Sequence, residues 1–131
     1  MSTAQVRVAG VGLSFVLIFL SGLWLSHLGK PYNTGVFTVH KLVGVAVGIL
    51  LAVMAYQTHK AASLGPVEIA AIVVTVLMFV GTVASGGLLS IDRKVPAFVQ
   101  RLHQLLPVLT VVSTSGTLYL LLRGIWQGAV L

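Results

Sequence analysis

The sequence predicts an all-α protein, a bundle of four antiparallel transmembrane helices, and three observations support this fold class. Hydrophobic residues make up 57% of the 131 residues and charged residues only 8%, whereas soluble proteins carry about 25% charged residues. The mean hydropathy is +1.06. The apolar residues form four long segments, none of which alternates with the period of two that is typical of a strand. The length is that of one domain, so residues 1–131 are predicted to form a single four-helix domain.

The four helices are predicted at residues 8–28, 36–56, 67–89 and 96–122. Each segment approaches or exceeds the roughly 20 residues that a helix needs to cross a bilayer. Turn-forming residues separate the segments: the three intervening breaks contain Gly29 to Gly35, then His59 to Pro66, then Ser90 to Lys94. Because these connections are short, we expect neighbouring helices to run antiparallel.

The basic residues indicate contact with a lipid bilayer rather than with nucleic acid. Eight Lys and Arg residues stand against Glu68 and Asp92, giving a net charge of +6. They fall at segment ends and in loops, and no nucleic-acid-binding motif is present, so we interpret them as topology signals. Lys and Arg are more numerous on the side that would carry His27, His40 and His103, which places that side in the cytoplasm. We expect a multi-pass protein of a bacterial or archaeal cell membrane.

Two histidines are the main candidates for function. His40 lies about one turn inside the second predicted helix and His103 about two turns inside the fourth, and these two helices would run parallel. Ionisable residues inside a membrane-spanning helix are costly and usually functional. Neutral imidazole is a good axial ligand of heme iron. The pair therefore predicts one bis-histidine heme b, and the absence of cysteine excludes covalent attachment of the heme and thiolate metal sites.

Small and basic residues near the histidines complete the predicted heme site. Gly44 and Gly48 follow His40 on nearly the same helix face, and a flat macrocycle needs such missing side chains to enter a bundle. The other predicted contacts are Gly22, Ser85 and Gly86 from the first and third helices, with Lys41 and Arg101 as candidates for the heme propionates. Glycine and serine also mediate ordinary helix packing in membranes, which is the alternative interpretation of this cluster. The alternative for a buried histidine is a simple hydrogen bond to a serine or threonine.

The remaining histidines leave a second kind of site open. His27 lies at a helix end, where it would be interfacial or would contact the heme edge. Together with His40, His103 and the carboxylate of Asp92, it would permit a zinc or copper site instead of heme. His59 lies at the opposite side without a histidine partner there, and we interpret it as a helix-end charge.

Two short segments resemble known membrane heme proteins. Phe37-Thr38-Val39-His40-Lys41-Leu42-Val43-Gly44 resembles the histidine-bearing helix start of heme A synthase and of the cytochrome b family of ferric and ascorbate-linked reductases. Val99-Gln100-Arg101-Leu102-His103-Gln104-Leu105-Leu106 resembles the fourth-helix motif of one half of heme A synthase. The resemblance covers nearly the whole chain and implies a four-helix fold with His40 and His103 as axial ligands. The chain has one such bundle instead of two, and no acidic residue lies between Ser26 and Thr38.

These observations predict a small membrane cytochrome b that transfers electrons. We expect a quinol or another redox protein as its partner, and a homo-oligomer or a larger complex as its setting. Two alternatives stay open. One is a heme-modifying or heme-handling factor related to heme A synthase, which would make the protein an enzyme. The other is a membrane scaffold or transporter subunit without a cofactor.

Overall fold

The structure, a computed structural model, describes residues 1–91 and 93–129, with side chains described as far as Arg123. It contains four α-helices: α1 spans Thr3–Leu28, α2 spans Thr34–Ala61, α3 spans Pro66–Leu89 and α4 spans Ala97–Ala129. Each helix is long and apolar enough to cross a membrane, α4 over Ala97–Arg123. The predicted all-α fold class with four transmembrane helices is confirmed, and the protein is a multi-pass membrane protein.

Local hydrogen bonds explain where the first two helices begin and end. Ser2 and Gln5 form a capping box at the start of α1, in which Ser2 Oγ accepts the Gln5 N–H at 3.2 Å and Gln5 Oε1 accepts the Ser2 N–H at 2.8 Å. Gly29 ends α1 at a φ of 68°, which favours glycine. Asn33 Oδ1 accepts the Val36 N–H at 3.1 Å at the start of α2.

The third and fourth helices carry two prolines at positions with different consequences. Pro66 is the first residue of α3, where its missing N–H leaves no hydrogen bond unmade, and Glu68 follows in the first turn. Pro107 lies inside α4. Since proline has no N–H, α4 lacks the bond that residue 107 would donate to the carbonyl of His103, one turn earlier.

The observed helices extend beyond several of the predicted ends. The predictions located the apolar segments, whereas a helix continues into the polar interface for as long as its backbone is hydrogen-bonded. Helix α1 therefore begins five residues earlier than predicted, at Thr3. Helix α2 runs to Ala61, so that His59 and Lys60 form its last turn instead of a break. Helix α4 continues to Ala129, and the predicted ends at Leu28 and Leu89 coincide with the observed ones.

The chain divides into two compact units, Met1–Met54 and Ala55–Leu131. In the first unit, α1 and α2 form an antiparallel hairpin: Ser21 near the end of α1 meets His40 near the start of α2, and a Cβ on Gly10 would lie 3.9 Å from Leu50. Buried residues of this unit are Val11, Leu25, Val47 and Met54. This hairpin brings together one of the two candidate histidines and the first helix.

In the second unit, α3 and α4 pack against each other as an antiparallel hairpin through hydroxyl groups. Thr75 Oγ1 lies 2.6 Å from Ser113 Oγ and 2.8 Å from Thr117 Oγ1, and Thr82 Oγ1 lies 3.1 Å from Thr110 Oγ1. Hydroxyl side chains are typical of helix contacts within membranes, because they can hydrogen-bond across the interface and permit close approach.

Large apolar side chains cover much of the outer surface of the helices. Leu13 is 63% exposed, Leu77 62% and Val112 65%. Contiguous apolar surface of this kind is unfavourable in water and marks contact with a membrane or another protein. These residues therefore mark a surface that contacts lipid or another protein.

Candidate functional site

His40 lies on α2 and its imidazole contacts α1. Its Nδ1 lies 2.9 Å from Ser21 Oγ. The Ser21 hydroxyl also lies 2.7 Å from the carbonyl of Leu17 and 3.1 Å from that of Ile18. Two oxygens 2.7 Å apart need a proton between them, and a carbonyl has none to give, so the Ser21 hydroxyl donates its proton to Leu17. The Ser21 oxygen therefore accepts the Nδ1–H of His40.

His103 lies on α4 and its imidazole contacts α3 in a closely similar way. Its Nδ1 lies 3.0 Å from Ser85 Oγ and 3.1 Å from the carbonyl of Thr82. Ser85 Oγ donates to the same carbonyl at 3.0 Å. Because the Thr82 carbonyl can only accept, Nδ1 of His103 carries the proton.

The hydrogen-bond network thus assigns one tautomer to both histidines. Each neutral imidazole is protonated on Nδ1, so its second nitrogen, Nε2, carries the lone pair. Histidines that bind metals commonly donate their other N–H to a carbonyl or another acceptor, which fixes the ring and makes the ligating nitrogen more basic. Both side chains have the donor chemistry that heme iron requires of an axial ligand.

The two histidines occupy the same position along their helices. His40 is six residues after Thr34, where α2 begins, and His103 is six residues after Ala97, where α4 begins. Six residues correspond to about 9 Å of helix. The sequence placed His40 one turn and His103 two turns inside the helices. This difference in depth disappears in the structure. Helix α2 begins two residues before its predicted start, and α4 begins one residue after its predicted start.

Glycines allow each imidazole to lie against the neighbouring helix. A Cβ on Gly22 would be 3.1 Å from His40 Cε1, and a Cβ on Gly86 would be 2.7 Å from His103 Cε1. Ordinary van der Waals contact of a Cβ lies at 3.4–4 Å. Gly22, Ser85 and Gly86 were predicted to contact the cofactor; in the structure they contact the histidines themselves.

The other predicted site residues lie apart from these contacts. Gly44 and Gly48 are on α2 and are half-buried, and a Cβ on Gly44 would meet nothing within 4 Å. Lys41 Nζ lies 4.1 Å from the centre of the Phe37 ring, a cation–π contact. Arg101 is exposed.

The zinc or copper alternative receives no support from the part of the chain that the structure describes. In residues 1–91 and 93–129, no group of three or more His, Cys, Asp or Glu side chains could hold a metal ion. His27 and His59 are exposed and lie in the last turns of α1 and α2. Asp92, the carboxylate of that alternative, lies outside the described residues.

Sequence reasoning considered a hydrogen bond from a buried histidine to a serine or threonine, but it did not assign Ser21 or the Thr82 carbonyl as partners. It treated the serine–glycine pairs as space for a macrocycle, because spacing alone does not give the rotation of a helix about its axis. One signal was available: Ser-Gly occurs 19 residues before His40 and again 18 residues before His103. That recurrence links each pair to the histidine of the following helix.

Comparison of the chain with family models, with curated proteins and with solved structures finds no match.

Proposed function

We propose that the protein is a membrane cytochrome b that binds one heme b, with His40 and His103 as its two axial ligands. The observation that carries the proposal is the matched pair of imidazoles. Each lies six residues into its helix and donates Nδ1–H to the preceding helix, and each carries its lone pair on Nε2. Two imidazoles of this kind are the ligand set of a bis-histidine heme.

With His40 and His103 both bound to its iron, a heme would supply one-electron transfer, because no position would be open for oxygen. The chain's own residues hold and orient the ligands: Ser21, Ser85 and the Thr82 carbonyl accept the Nδ1 protons. A quinol or a redox protein in or at the membrane is the proposed electron partner, and a homo-oligomer or larger complex remains the expected setting.

The proposed orientation places the histidine ends of α2 and α4 on the cytoplasmic side of a bacterial or archaeal cell membrane. Basic residues near those ends include Lys30, Lys41, Lys94 and Arg101. An excess of Lys and Arg in short loops favours the cytoplasmic side. Lys41 and Arg101 remain the proposed partners of the heme propionates.

Optical and electron paramagnetic resonance spectra of the purified, heme-reconstituted protein test this function. We expect the wild-type protein to show a Soret band, sharp reduced α and β bands and a low-spin ferric signal. His40→Ala and His103→Ala should each abolish these features, since each variant removes one axial ligand. His27→Ala and His59→Ala are the matched controls, because both residues are exposed at helix ends, and their spectra should equal that of the wild type.

Two results would contradict the proposal. The first is a wild-type protein that binds no heme after reconstitution, which would favour the cofactor-free scaffold. The second is a six-coordinate spectrum that persists in both His40→Ala and His103→Ala. Conversion of the bound heme to a modified heme during turnover would instead favour the heme-modifying alternative.

A further inference from the structure

A repeat runs through the chain and relates its two hairpins. Residues that recur 64 positions later are Leu13, Phe15, Val16, Ser21, Gly22, Leu25, Ser26 and Lys30. After the first loop the interval is 63, and the residues that recur are Val36, His40, Leu42, Val45 and Tyr56. The starts of α2 and α4, Thr34 and Ala97, are also 63 residues apart.

At several equivalent positions the burial of the side chains also recurs. Val47 and Thr110, 63 residues apart, are 0% and 1% exposed. The buried residue Val11 corresponds to the buried Thr75. Chance similarity between the two halves of the sequence would not bury equivalent residues to the same extent in two separate hairpins.

We infer that the protein consists of two copies of one helical hairpin, and that Ser21 and Ser85 are equivalent positioning residues, one for each histidine. This inference rests on the proposed function where it concerns heme, and on hydrogen bonding alone where it concerns the imidazoles. Each serine uses its own proton on a carbonyl of its helix, so its oxygen is the acceptor that fixes Nδ1–H. The lone pair then belongs to Nε2, the ligating nitrogen.

The two serines make the same contact with their histidines. Ser21 Oγ lies 2.9 Å from His40 Nδ1, and Ser85 Oγ lies 3.0 Å from His103 Nδ1. Ser21→Ala and Ser85→Ala should therefore act on their histidines in the same direction.

The heme midpoint potential measures the contribution of each serine. Mutation of the hydrogen-bond partner of a metal-bound histidine typically lowers metal affinity by about 10–100-fold. The ferric heme should lose more affinity than the ferrous heme, because a basic imidazole favours the ferric state. We expect Ser21→Ala to raise the potential, by about 59 mV for each tenfold change in the ferric-to-ferrous binding ratio. Ser85→Ala should raise it as well, and Ser21→Thr, which keeps the hydroxyl, should retain the wild-type value.

Ser14→Ala is the matched control. Ser14 Oγ also donates to a carbonyl of α1, that of Gly10 at 2.7 Å, but it precedes the histidine contact by two turns. Its removal should leave the potential unchanged. If the wild-type protein binds a bis-histidine heme and Ser21→Ala behaves like Ser14→Ala, the positioning role is wrong while the cytochrome function stands.

A second readout needs no heme. Imidazole ¹⁵N resonances of the heme-free protein in detergent should show His40 and His103 protonated on Nδ1, and Ser21→Ala should shift His40 toward the Nε2–H form. If the wild-type protein binds no heme, the cytochrome function fails, and these resonances still decide the role of the serine. Wild-type histidines protonated on Nε2, or a His40 tautomer that Ser21→Ala leaves unchanged, would overturn the inference.

Discussion

Gly86→Ala tests the contact between α3 and the His103 imidazole most directly. The added Cβ would lie 2.7 Å from His103 Cε1, which is 0.7 Å short of the 3.4 Å at which ordinary contact begins. Either the ring moves, and its hydrogen bonds to Ser85 and Thr82 lengthen from 3.0 and 3.1 Å, or the helices separate. Overpacking of this kind costs about 1–3 kcal/mol, and a lost hydrogen bond about 1 kcal/mol more.

Gly87→Ala supplies the control, because it makes the same chemical change at the next residue of the same helix. A Cβ on Gly87 would meet nothing within 4 Å. Replacement of glycine by alanine stabilises a helix by up to about 1 kcal/mol, and this term is common to both variants. The difference between Gly86→Ala and Gly87→Ala therefore isolates the contact with His103, and we expect it to be about 1–3 kcal/mol.

The assay is unfolding of the heme-free protein in detergent by titration with sodium dodecyl sulfate, followed by circular dichroism. Gly22→Ala should fall between the other two variants, because its Cβ would lie 3.1 Å from His40 Cε1 and a smaller shift relieves the contact. The expected order of destabilisation is Gly86, then Gly22, then Gly87. Equal free energies of unfolding for Gly86→Ala and Gly87→Ala would refute the packing of His103 against α3.

Two further predictions concern the helices away from the histidines. Thr75→Val removes a hydroxyl that contacts Ser113 and Thr117; it should lower the free energy of unfolding in detergent by about 0.6–1.7 kcal/mol, and an unchanged value would contradict the role of these bonds. Ser2→Ala removes half of the capping box with Gln5 and should cost about 1 kcal/mol. Faster amide exchange confined to the first turn of α1 would support this, and unchanged exchange there would contradict it.

The fold was largely predictable from the sequence because few backbone structures are stable for an apolar chain in lipid. A membrane-spanning segment must satisfy its own backbone hydrogen bonds, so four long apolar segments predict four helices. Glycine and proline marked ends correctly where they change the backbone itself, as at Gly29 and Pro66. Hydropathy could not give the C-terminal end of α2, because Tyr56 to Ala61 contains polar residues that continue the helix at the interface.

The candidate site was predictable only in part. His40 and His103 were identifiable because an ionisable residue inside a transmembrane helix needs a reason to be there. Their contacts were not, because hydrogen bonding to Ser21 or Ser85 depends on how each helix is rotated toward its neighbour. Gly44 was assigned to the cofactor from its spacing after His40, and the structure leaves open space beside it.

The comparison of the two hairpins separates positions that need a shape from positions that need a chemical group. Val11 and Val47 correspond to Thr75 and Thr110 in the second hairpin, so at these buried positions the branched shape recurs while the polarity changes. Either side chain is tolerated, because a threonine can satisfy its hydroxyl by a bond to the facing helix or to its own backbone.

At the histidine contacts, by contrast, the residue identities recur as well as the shape. Serine and glycine on one helix and histidine on the next are the same in both hairpins. Helix packing alone would accept alanine in place of serine and an apolar residue in place of histidine. The recurrence of these three residue types, beside two buried positions where the polarity differs, argues that the contact holding the Nδ1 proton of the imidazole is the feature that both hairpins share.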